Sequence, residues 1–308
     1  MSKTTSTIAV LAVCAAILSS GSLSASGSGG GHESGSAEKH ESDVSKHASS
    51  SGGNSSGSAA KHWTYTGETG AEHWGSLAKE YSLCGSGRVQ SPIDIDGSVS
   101  ANSFDLNFSY QDVPLQILNN GHTIQINYST ESHDEDSNVY INGEKHALPS
   151  AIQYNSGLSI SGEYYKLLHV NFHSPSEHHV DGKPYAMEAH FVHMNSQGQH
   201  AVVGVTMKRG STNRFLDQLW SHMPTTKSGP NTISGVSVNA HDLLPHRKSY
   251  YHYRGSLTTP PCSEGVRWFV LKESIEVSDA QVERFLSVIG HNARPVQPIN
   301  HRPLIRTK

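Results

Sequence analysis

The chain has 308 residues and a mass of 33.3 kDa, with a formal net charge of −4 from 23 basic and 27 acidic side chains. This balance argues against a protein held to nucleic acid by phosphate contacts and against a polybasic membrane-surface protein, because both carry a basic excess. No run of 18 apolar residues predicts a membrane-spanning helix. Histidine occurs 21 times and cysteine three times. These counts exclude a disulfide-dense miniprotein and a cysteine-rich zinc module, and they leave open a metal site made of imidazoles.

The first 60 residues are not predicted to be part of the fold. Residues 1–25 carry one basic side chain, a short apolar run and then small residues, which is typical of a secretory signal peptide. Residues 26–60 are rich in Ser, Gly and His and lack the apolar area that ordering requires, so they predict a disordered linker. We therefore expect an exported protein, periplasmic or secreted. The linker histidines are either part of a solubilising spacer or a weak periplasmic metal buffer; they are His32, His40 and His47.

Export changes the meaning of the cysteines. Cys14 leaves with the signal, and Cys84 and Cys262 remain. Two cysteines in an exported chain predict one disulfide, which would close a loop of about 180 residues. Two buried free thiols are the alternative.

Residues 61–308 show a sequence pattern that is mostly typical of β-strands throughout. Alternating apolar runs predict strands at Leu115–Asn119, Thr123–Tyr128, Leu167–His173, Ala186–His193 and Ala201–Met207. Turn signals separate them at Asn120-Gly121, Asn142-Gly143, Asp181-Gly182 and Ser196-Gln197-Gly198. Two helices are predicted, at Arg214–His222 and at Asp279–Ile289, the second with Ser278 as its N-cap. The pattern predicts a single domain built on one twisted sheet.

Two of the predicted strands carry metal-ligating residue types. Because side chains alternate along a strand, His169, Asn171 and His173 share one face, and Glu188 and His190 share a face of the next strand. A catalytic zinc ion requires three such ligands and one open position for water. Spacing alone leaves a metal site and ordinary surface histidines as alternatives.

Seven separated motifs carry a family resemblance. They are His62-Trp63-Thr64-Tyr65, Gln90-Ser91-Pro92-Ile93-Asp94-Ile95, Asn119-Asn120-Gly121-His122, Phe172-His173-Ser174-Pro175-Ser176-Glu177-His178, Met187-Glu188-Ala189-His190-Phe191-Val192-His193, Gly255-Ser256-Leu257-Thr258-Thr259-Pro260-Pro261-Cys262 and Asn300-His301-Arg302-Pro303. In this order they resemble the α-class carbonic anhydrases over essentially all of 61–308. The Ser-Pro-Ser-Glu-His form and the cysteine pair resemble the exported bacterial branch.

The resemblance implies a fold and a reaction. The fold is mainly β (α+β), a single domain on a large, twisted, mostly antiparallel sheet with a conical cavity and a few short peripheral helices. The reaction is reversible hydration of carbon dioxide to bicarbonate and a proton, by a Zn²⁺ ion whose bound water has its pKa lowered to about 7 and attacks as hydroxide. The partner is therefore a small molecule, with no nucleic acid and no stable membrane insertion. The oligomeric state stays open, with a homodimer as one option.

The resemblance also implies residue roles. His173 and His190 would be zinc ligands, with Glu188 and Asn300 as hydrogen-bond partners of the ligating imidazoles. Thr258 would accept the proton of the hydroxide in a hydrogen bond and donate its own to Glu177, and His122 would be the proton shuttle. The substrate would be bound by Val192, Val202, Leu257, Thr258, Thr259 and Trp268.

The sequence departs from the family at one ligand. The family has His where this chain has Asn171, and it has Gln where this chain has His169. Either the Asn171 amide oxygen binds the metal in a weaker mixed site, or His169 reaches a shifted metal, or the site is metal-poor. The first two interpretations predict a carbonic anhydrase with reduced metal affinity. The third predicts a catalytically impaired, carbonic-anhydrase-like binding protein.

Overall fold

The computed structural model describes residues 62–128, 138–141, 144–147 and 156–307. The predicted signal, the predicted linker and the Asn142-Gly143 turn lie outside these residues. The strands are β1 (Asp94–Ile95), β2 (Val99–Ser100), β3 (Leu106–Ser109), β4 (Val113–Asn119), β5 (Ile124–Asn127), β6 (Asn138–Ile141), β7 (Glu144–Ala147), β8 (Gly157–Ile160), β9 (Glu163–His173), β10 (His179–Val180), β11 (Lys183–Pro184), β12 (Met187–Met194), β13 (His200–Arg209), β14 (Asn231–Val238), β15 (Tyr250–Ser256), β16 (Glu264–Leu271), β17 (Ile275–Val277) and β18 (Ile305–Arg306).

The helices are short and peripheral. They are α1 (Trp74–Leu77), α2 (Leu83–Ser86), α3 (Arg214–Ser221) and α4 (Asp279–Ile289), with 3₁₀ turns at Gly67–Thr69, Lys79–Tyr81 and Ala240–Leu243. The two helices predicted from sequence are α3 and α4. Helix α4 begins where predicted because Ser278 and Gln281 form a reciprocal capping box. In the part of the chain that the structure describes, no helix has both the length and the apolar character to cross a bilayer.

One large sheet organises the domain. Its 13 strands run in the order β14-β4-β5-β9-β12-β13-β16-β15-β18-β2, with β8 and β3 joined through β9 and with β17 paired to β13. Most neighbours are antiparallel; the parallel pairs are β13 with β16, β13 with β17, and β18 with β2. The prediction of a large, mostly antiparallel sheet is confirmed.

The two faces of this sheet have different chemistry. In β9, Val170 and Phe172 are fully buried in the main apolar core, together with Ala189 and Phe191 of β12. Burying each of these larger side chains contributes about 1.5–3 kcal/mol. The residues between them point to the opposite face, which is where the polar and ligating side chains of both strands lie. The core therefore holds rigid the strands that carry the site.

A disulfide joins the start of the domain to its C-terminal third. Cys84 of α2 and Cys262 are bonded, with 5.1 Å between their Cα atoms. Both sulfurs pack in a small cluster with Trp63 and Trp74. One disulfide, and not two free thiols, is therefore confirmed.

Candidate metal centre and active site

Strand register brings the predicted ligands together. In the antiparallel pair β9–β12, Asn171 lies opposite His190 and His173 lies opposite Glu188. Directly opposite residues in such a pair have Cβ atoms about 5 Å apart. Two imidazoles, one amide and one carboxylate therefore lie close together on the face that is turned away from the main core.

His173 is held with one ring nitrogen free. Its Nδ1 lies 2.8 Å from the carbonyl oxygen of Asn292, and since a carbonyl only accepts, Nδ1 carries the proton. The lone pair is then on Nε2, which is buried and has no hydrogen-bond partner among the described residues. Burial lowers the pKa of His173 despite the opposing charge of Glu177, so the ring stays neutral. A neutral imidazole with a free lone pair is the form that binds a metal ion.

His190 is oriented by a carboxylate. Glu188 Oε1 lies 3.1 Å from His190 Nε2 and 2.8 Å from His178 Nδ1, and its Oε2 accepts the His178 backbone N–H at 2.8 Å. Burial alone would raise the pKa of Glu188, but His178 and His190 hold it well below its usual range. Glu188 is therefore ionised, and its charge lies beside Nε2 of His190, although the two atoms do not form a well-aligned hydrogen bond. This leaves Nδ1 of His190 facing the site.

Sequence reasoning missed Gly204, which makes room for that carboxylate. Gly204 of β13 lies opposite His190, and a Cβ at this position would meet Glu188 Oε1 at 2.8 Å. Any side chain here would displace the carboxylate. Nothing in the sequence marks this glycine, because its role depends on which strands are neighbours.

The structure separates Asn171 from His169. The Oδ1 atom of Asn171 is buried without a hydrogen-bond partner among the described residues. Two groups of described side chains each have ligand atoms that all lie within 4.8 Å of one another. One group is His173, Glu177 and His190, and the other is His178, Glu188 and His190. His169 belongs to neither group. Burial, and then the nearby His200 and His190, lower the pKa of His169 to about 4. The arrangement favours Asn171 over His169 as the third donor.

Glu177 is anchored from the C-terminal segment. Its Oε1 accepts the Arg294 backbone N–H at 2.8 Å, whereas its Oε2 is buried without a partner among the described residues. Thr258, the residue predicted to donate to Glu177, is buried in the turn after β15, and the structure shows no hydrogen bond between the two. Burial, and then the charge of Glu177, raise the pKa of Tyr65 well above its usual value, which keeps this nearby phenol neutral.

The prediction for Asn300 is wrong. Asn300 is exposed and donates to the carbonyl of Arg88 at 3.0 Å, away from both imidazoles. The partner of His173 is Asn292, eight positions earlier. The pattern Asn-x-Arg-Pro occurs twice, at 292–295 and at 300–303, and only in the first copy are the Asn and the Arg buried. Its Arg294 is 2% exposed and donates to the backbone carbonyls of Ser91 and Cys84.

The predicted shuttle and most of the predicted substrate wall are buried. His122 is 5% exposed, because its ring stacks on the indole of Trp63. The apolar side chains predicted to bind substrate gather in one cluster beside His190, whose ring lies 4.9 Å from that of Trp268; they are Val192, Val202, Leu257 and Trp268. Thr259 is partly buried in the following turn, where its carbonyl accepts the Cys262 N–H at 2.9 Å.

The donors fit a divalent cation. His173 Nε2 and Asn171 Oδ1 are buried acceptors with no hydrogen-bond partner among the described residues, and His190, whose Nε2 lies against Glu188, would contribute Nδ1. Two imidazoles and one amide oxygen are ligands that zinc accepts, although oxygen binds it less strongly than nitrogen.

Comparisons with known proteins point to one family. The model of the eukaryotic-type carbonic anhydrase family matches residues 69–308. The chain is similar to a carbonic anhydrase from Klebsiella pneumoniae, at 41% identity over 79% of this chain and 90% of that protein. It is also similar to the solved α-carbonic anhydrase from Thermovibrio ammonificans in complex with sulfanilamide, at 39% identity and a TM-score of 0.69 over 80% of this chain and 99% of that one. A crystal structure of dioscorin complexed with ascorbate matches at 28% identity and a TM-score of 0.67, over 80% and 98%. The chain therefore belongs to the eukaryotic-type, or α-class, carbonic anhydrase family.

Proposed function

We propose that this chain hydrates carbon dioxide reversibly with a zinc ion held by His173, His190 and the amide oxygen of Asn171, and that Asn171 weakens zinc binding. Family membership supports the reaction. One observation carries the finer assignment: the buried His173 Nε2 and Asn171 Oδ1 atoms have no other hydrogen-bond partner among the described residues. A buried acceptor without a partner is costly, and a cation bound there would remove that cost.

The chain would orient the reacting water and supply a dry pocket for the substrate. When bound, zinc lowers the pKa of a coordinated water to about 7. Glu177, fixed by the Arg294 N–H, keeps Oε2 free to accept the Thr258 hydroxyl proton. Thr258 can then only accept from the attacking water, so it aims a lone pair of that water at the substrate.

The apolar cluster beside His190 would hold the substrate. Val192, Val202, Leu257 and Trp268 offer no hydrogen bonds to carbon dioxide, which needs none, and they exclude water from one side of the reacting carbon. The uncharged substrate and its charged product therefore differ in their affinity for this wall. Bicarbonate is expected to leave more readily than carbon dioxide.

Zinc titration of matched variants tests the proposal. Metal-free protein is titrated with zinc in competition with a chromophoric chelator, as wild type, Asn171→Ala and His169→Ala. Asn171→Ala is expected to lose about 10–100-fold in zinc affinity, and His169→Ala less than about threefold. The opposite ranking would assign the third donor to His169. Retention of one zinc per chain after dialysis, with full hydration activity and no added metal, would contradict the weakened site.

A binding protein is the second candidate, and Asn171 is the observation that favours it. Dioscorin shares this fold and was crystallised with ascorbate. Hydration activity measured in saturating zinc separates the candidates. No activity, together with ascorbate binding by the metal-free chain in calorimetry, would support the binding protein.

Export is proposed from the bacterial relatives and the disulfide. Disulfides persist mainly in oxidising compartments, and the Cys84–Cys262 bond fits a periplasmic or secreted protein. We propose that residues 1–25 direct export and are removed. Amino-terminal sequencing of protein recovered from the periplasm or the medium should begin near residue 26. An intact Met1 would contradict this.

A further inference from the structure

The two residues proposed to orient the reacting water are held by different segments of the chain. Glu177 Oε1 accepts the backbone N–H of Arg294 at 2.8 Å, and its Oε2 is buried without a hydrogen-bond partner among the described residues. Thr258 lies four residues before Cys262, in a turn where the Cys262 N–H donates to the Thr259 carbonyl at 2.9 Å. The distance between Glu177 and Thr258 therefore depends on how the Arg294 segment and this turn are fixed to each other.

The side chain of Arg294 binds the segment that carries the first cysteine of the disulfide. Its Nη2 donates to the Cys84 carbonyl at 3.0 Å, and its Nη1 donates to the Ser91 carbonyl at 2.7 Å and to Gln90 Oε1 at 2.9 Å. A guanidinium can serve several acceptors at once because its N–H groups form a rigid, planar fork. Arg294 therefore contacts Glu177 through its backbone and the Cys84 segment through its side chain.

The side chain of Gln90 extends this contact to the second cysteine. Its Nε2 donates to the Cys262 carbonyl at 3.1 Å and to Glu264 Oε1 at 3.0 Å, while its Oε1 accepts from Arg294. Gln90 is 3% exposed. A side chain at Gly87 would collide with Gln90 Nε2, so the glycine leaves room for this amide. One buried Gln–Arg pair therefore contacts the carbonyls of both disulfide-bonded residues.

We propose that Gln90 and Arg294 are positioning residues for the reaction, because they fix the Glu177 carboxylate relative to the turn that carries Thr258. This rests on the carbonic anhydrase activity proposed above. The disulfide holds the Thr258 turn against α2, and the guanidinium of Arg294 extends that link to Glu177. Loss of either side chain would leave the proposed zinc ligands and the disulfide in place, and it would let Glu177 Oε2 move away from the Thr258 hydroxyl.

Conservative substitutions test the two side chains separately. Gln90→Met keeps the length of the side chain and removes its hydrogen bonds, and Arg294→Lys keeps the charge but replaces the fork by a single ammonium group. Arg302→Lys is the matched control, because Arg302 also donates to backbone carbonyls but lies in the second copy of the Asn-x-Arg-Pro pattern, where the Arg is not buried. Mass spectrometry without reductant checks that each variant keeps the disulfide. Hydration kinetics in saturating zinc and zinc affinity by chelator competition are then measured for all three.

Arg294→Lys is expected to lower kcat/KM about 10–100-fold, and Gln90→Met about tenfold, because a small displacement of an orienting group is costly in rate. Zinc affinity is expected to stay within about threefold of wild type in both variants, since the proposed ligands are unchanged. Arg302→Lys is expected to keep kcat/KM within about twofold. The proposal would be overturned if Gln90→Met and Arg294→Lys matched the control in kcat/KM, or if their zinc affinity fell in proportion to their activity.

The backbone amide of Arg294 gives a readout that depends on neither activity nor metal. In the metal-free protein, Gln90→Met is expected to shift the NMR resonance of this amide and to speed its exchange with deuterium at least about tenfold, because its hydrogen bond to Glu177 is loosened. Arg302→Lys is expected to change neither property. An Arg294 amide that is unaffected by Gln90→Met would overturn the proposal. If wild type shows no hydration activity in saturating zinc, the proposed function fails, and this exchange measurement still decides whether Gln90 helps to hold Arg294 on Glu177.

Discussion

The two halves of the candidate metal site are built differently. On one half, His173 Nδ1 donates to the Asn292 carbonyl, and His190 Nε2 lies 3.1 Å from the Glu188 carboxylate, which also accepts from His178. On the other half, the Asn171 amide oxygen is buried without a partner among the described residues. The groups that orient the two imidazoles are therefore in place, although the third ligand position holds an amide. The third ligand and the groups that orient the other two can therefore be changed independently by mutation.

The largest expected effect comes from removing the Glu188 carboxylate, which lies between His178 and His190. Glu188→Ala would leave the His178 N–H and His178 Nδ1 buried without their acceptor, and it would remove the charge that lies 3.1 Å from His190 Nε2. Breaking such a buried network costs about 3–5 kcal/mol. Urea unfolding of the metal-free protein should show this loss in the free energy of unfolding. A loss below about 1 kcal/mol would mean that water replaces the carboxylate.

Replacing Asn171 by histidine should raise metal affinity without a comparable loss of folding stability. Asn171→His would place a third imidazole opposite His190, and imidazole binds zinc better than an amide oxygen. We expect zinc affinity to rise about 100-fold, measured by chelator competition, with hydration activity rising in parallel at low zinc. An unchanged affinity would show that another group already completes the site.

A smaller effect should follow from adding a side chain beside the Glu188 carboxylate. Gly204→Ala would place a methyl group against Glu188 Oε1. We expect the free energy of unfolding to fall by about 1–3 kcal/mol and zinc affinity to weaken, because the displaced carboxylate no longer orients His190. Gly229→Ala is the matched control, because a methyl group there meets nothing within 4 Å and the backbone is not in the left-handed region. Zinc affinity unchanged in Gly204→Ala would contradict the role given to this glycine.

The last effect is absent at neutral pH and concerns a buried histidine that is not a ligand. His193 lies against the main core with both ring nitrogens engaged, by Tyr110 Oη at 2.9 Å and by the Ala201 carbonyl at 3.2 Å. Burial lowers the pKa of His193 from 6.5 to about 3. Between these two pH values the unfolded chain binds more protons, so stability falls as pH is lowered, by up to about 1.4 kcal/mol per pH unit.

Substitution of His193 isolates that contribution. His193→Gln keeps hydrogen-bonding groups and does not titrate, so the slope of unfolding free energy against pH should be shallower between pH 6 and pH 4 than in wild type. Denaturant unfolding at several pH values measures it. Equal slopes would show that other groups, such as the buried His252, dominate the acid sensitivity.

The sequence predicted the parts of this protein that depend on local pattern. The strands β9 and β12 follow from alternation, and α4 follows from the Ser278 cap. Side-chain parity placed Asn171 and His173 on one face, and the structure agrees through the register with β12. These features require only short-range information, since the period of a strand fixes which residues share a face.

What the sequence could not predict depends on contacts between distant segments. Asn300 and Asn292 stand in the same four-residue pattern, and only packing of the C-terminal segment distinguishes the buried copy from the exposed one. The burial of His122 depends on where Trp63 lies. The need for Gly204 depends on the β12–β13 register. No periodicity encodes such long-range choices.

The disulfide divides the chain into a covalent ring and two tails. The ring from Cys84 to Cys262 contains all the proposed zinc ligands, Glu177 and Thr258. Two of the groups that orient them come from outside it, because the carboxyl-terminal tail supplies the Asn292 carbonyl to His173 and the Arg294 N–H to Glu177. A chain emerging amino end first has every ligand in the ring before the carboxyl-terminal tail can dock. The orientation of the His173 ring is therefore expected to form late, once the segment that carries Asn292 has docked.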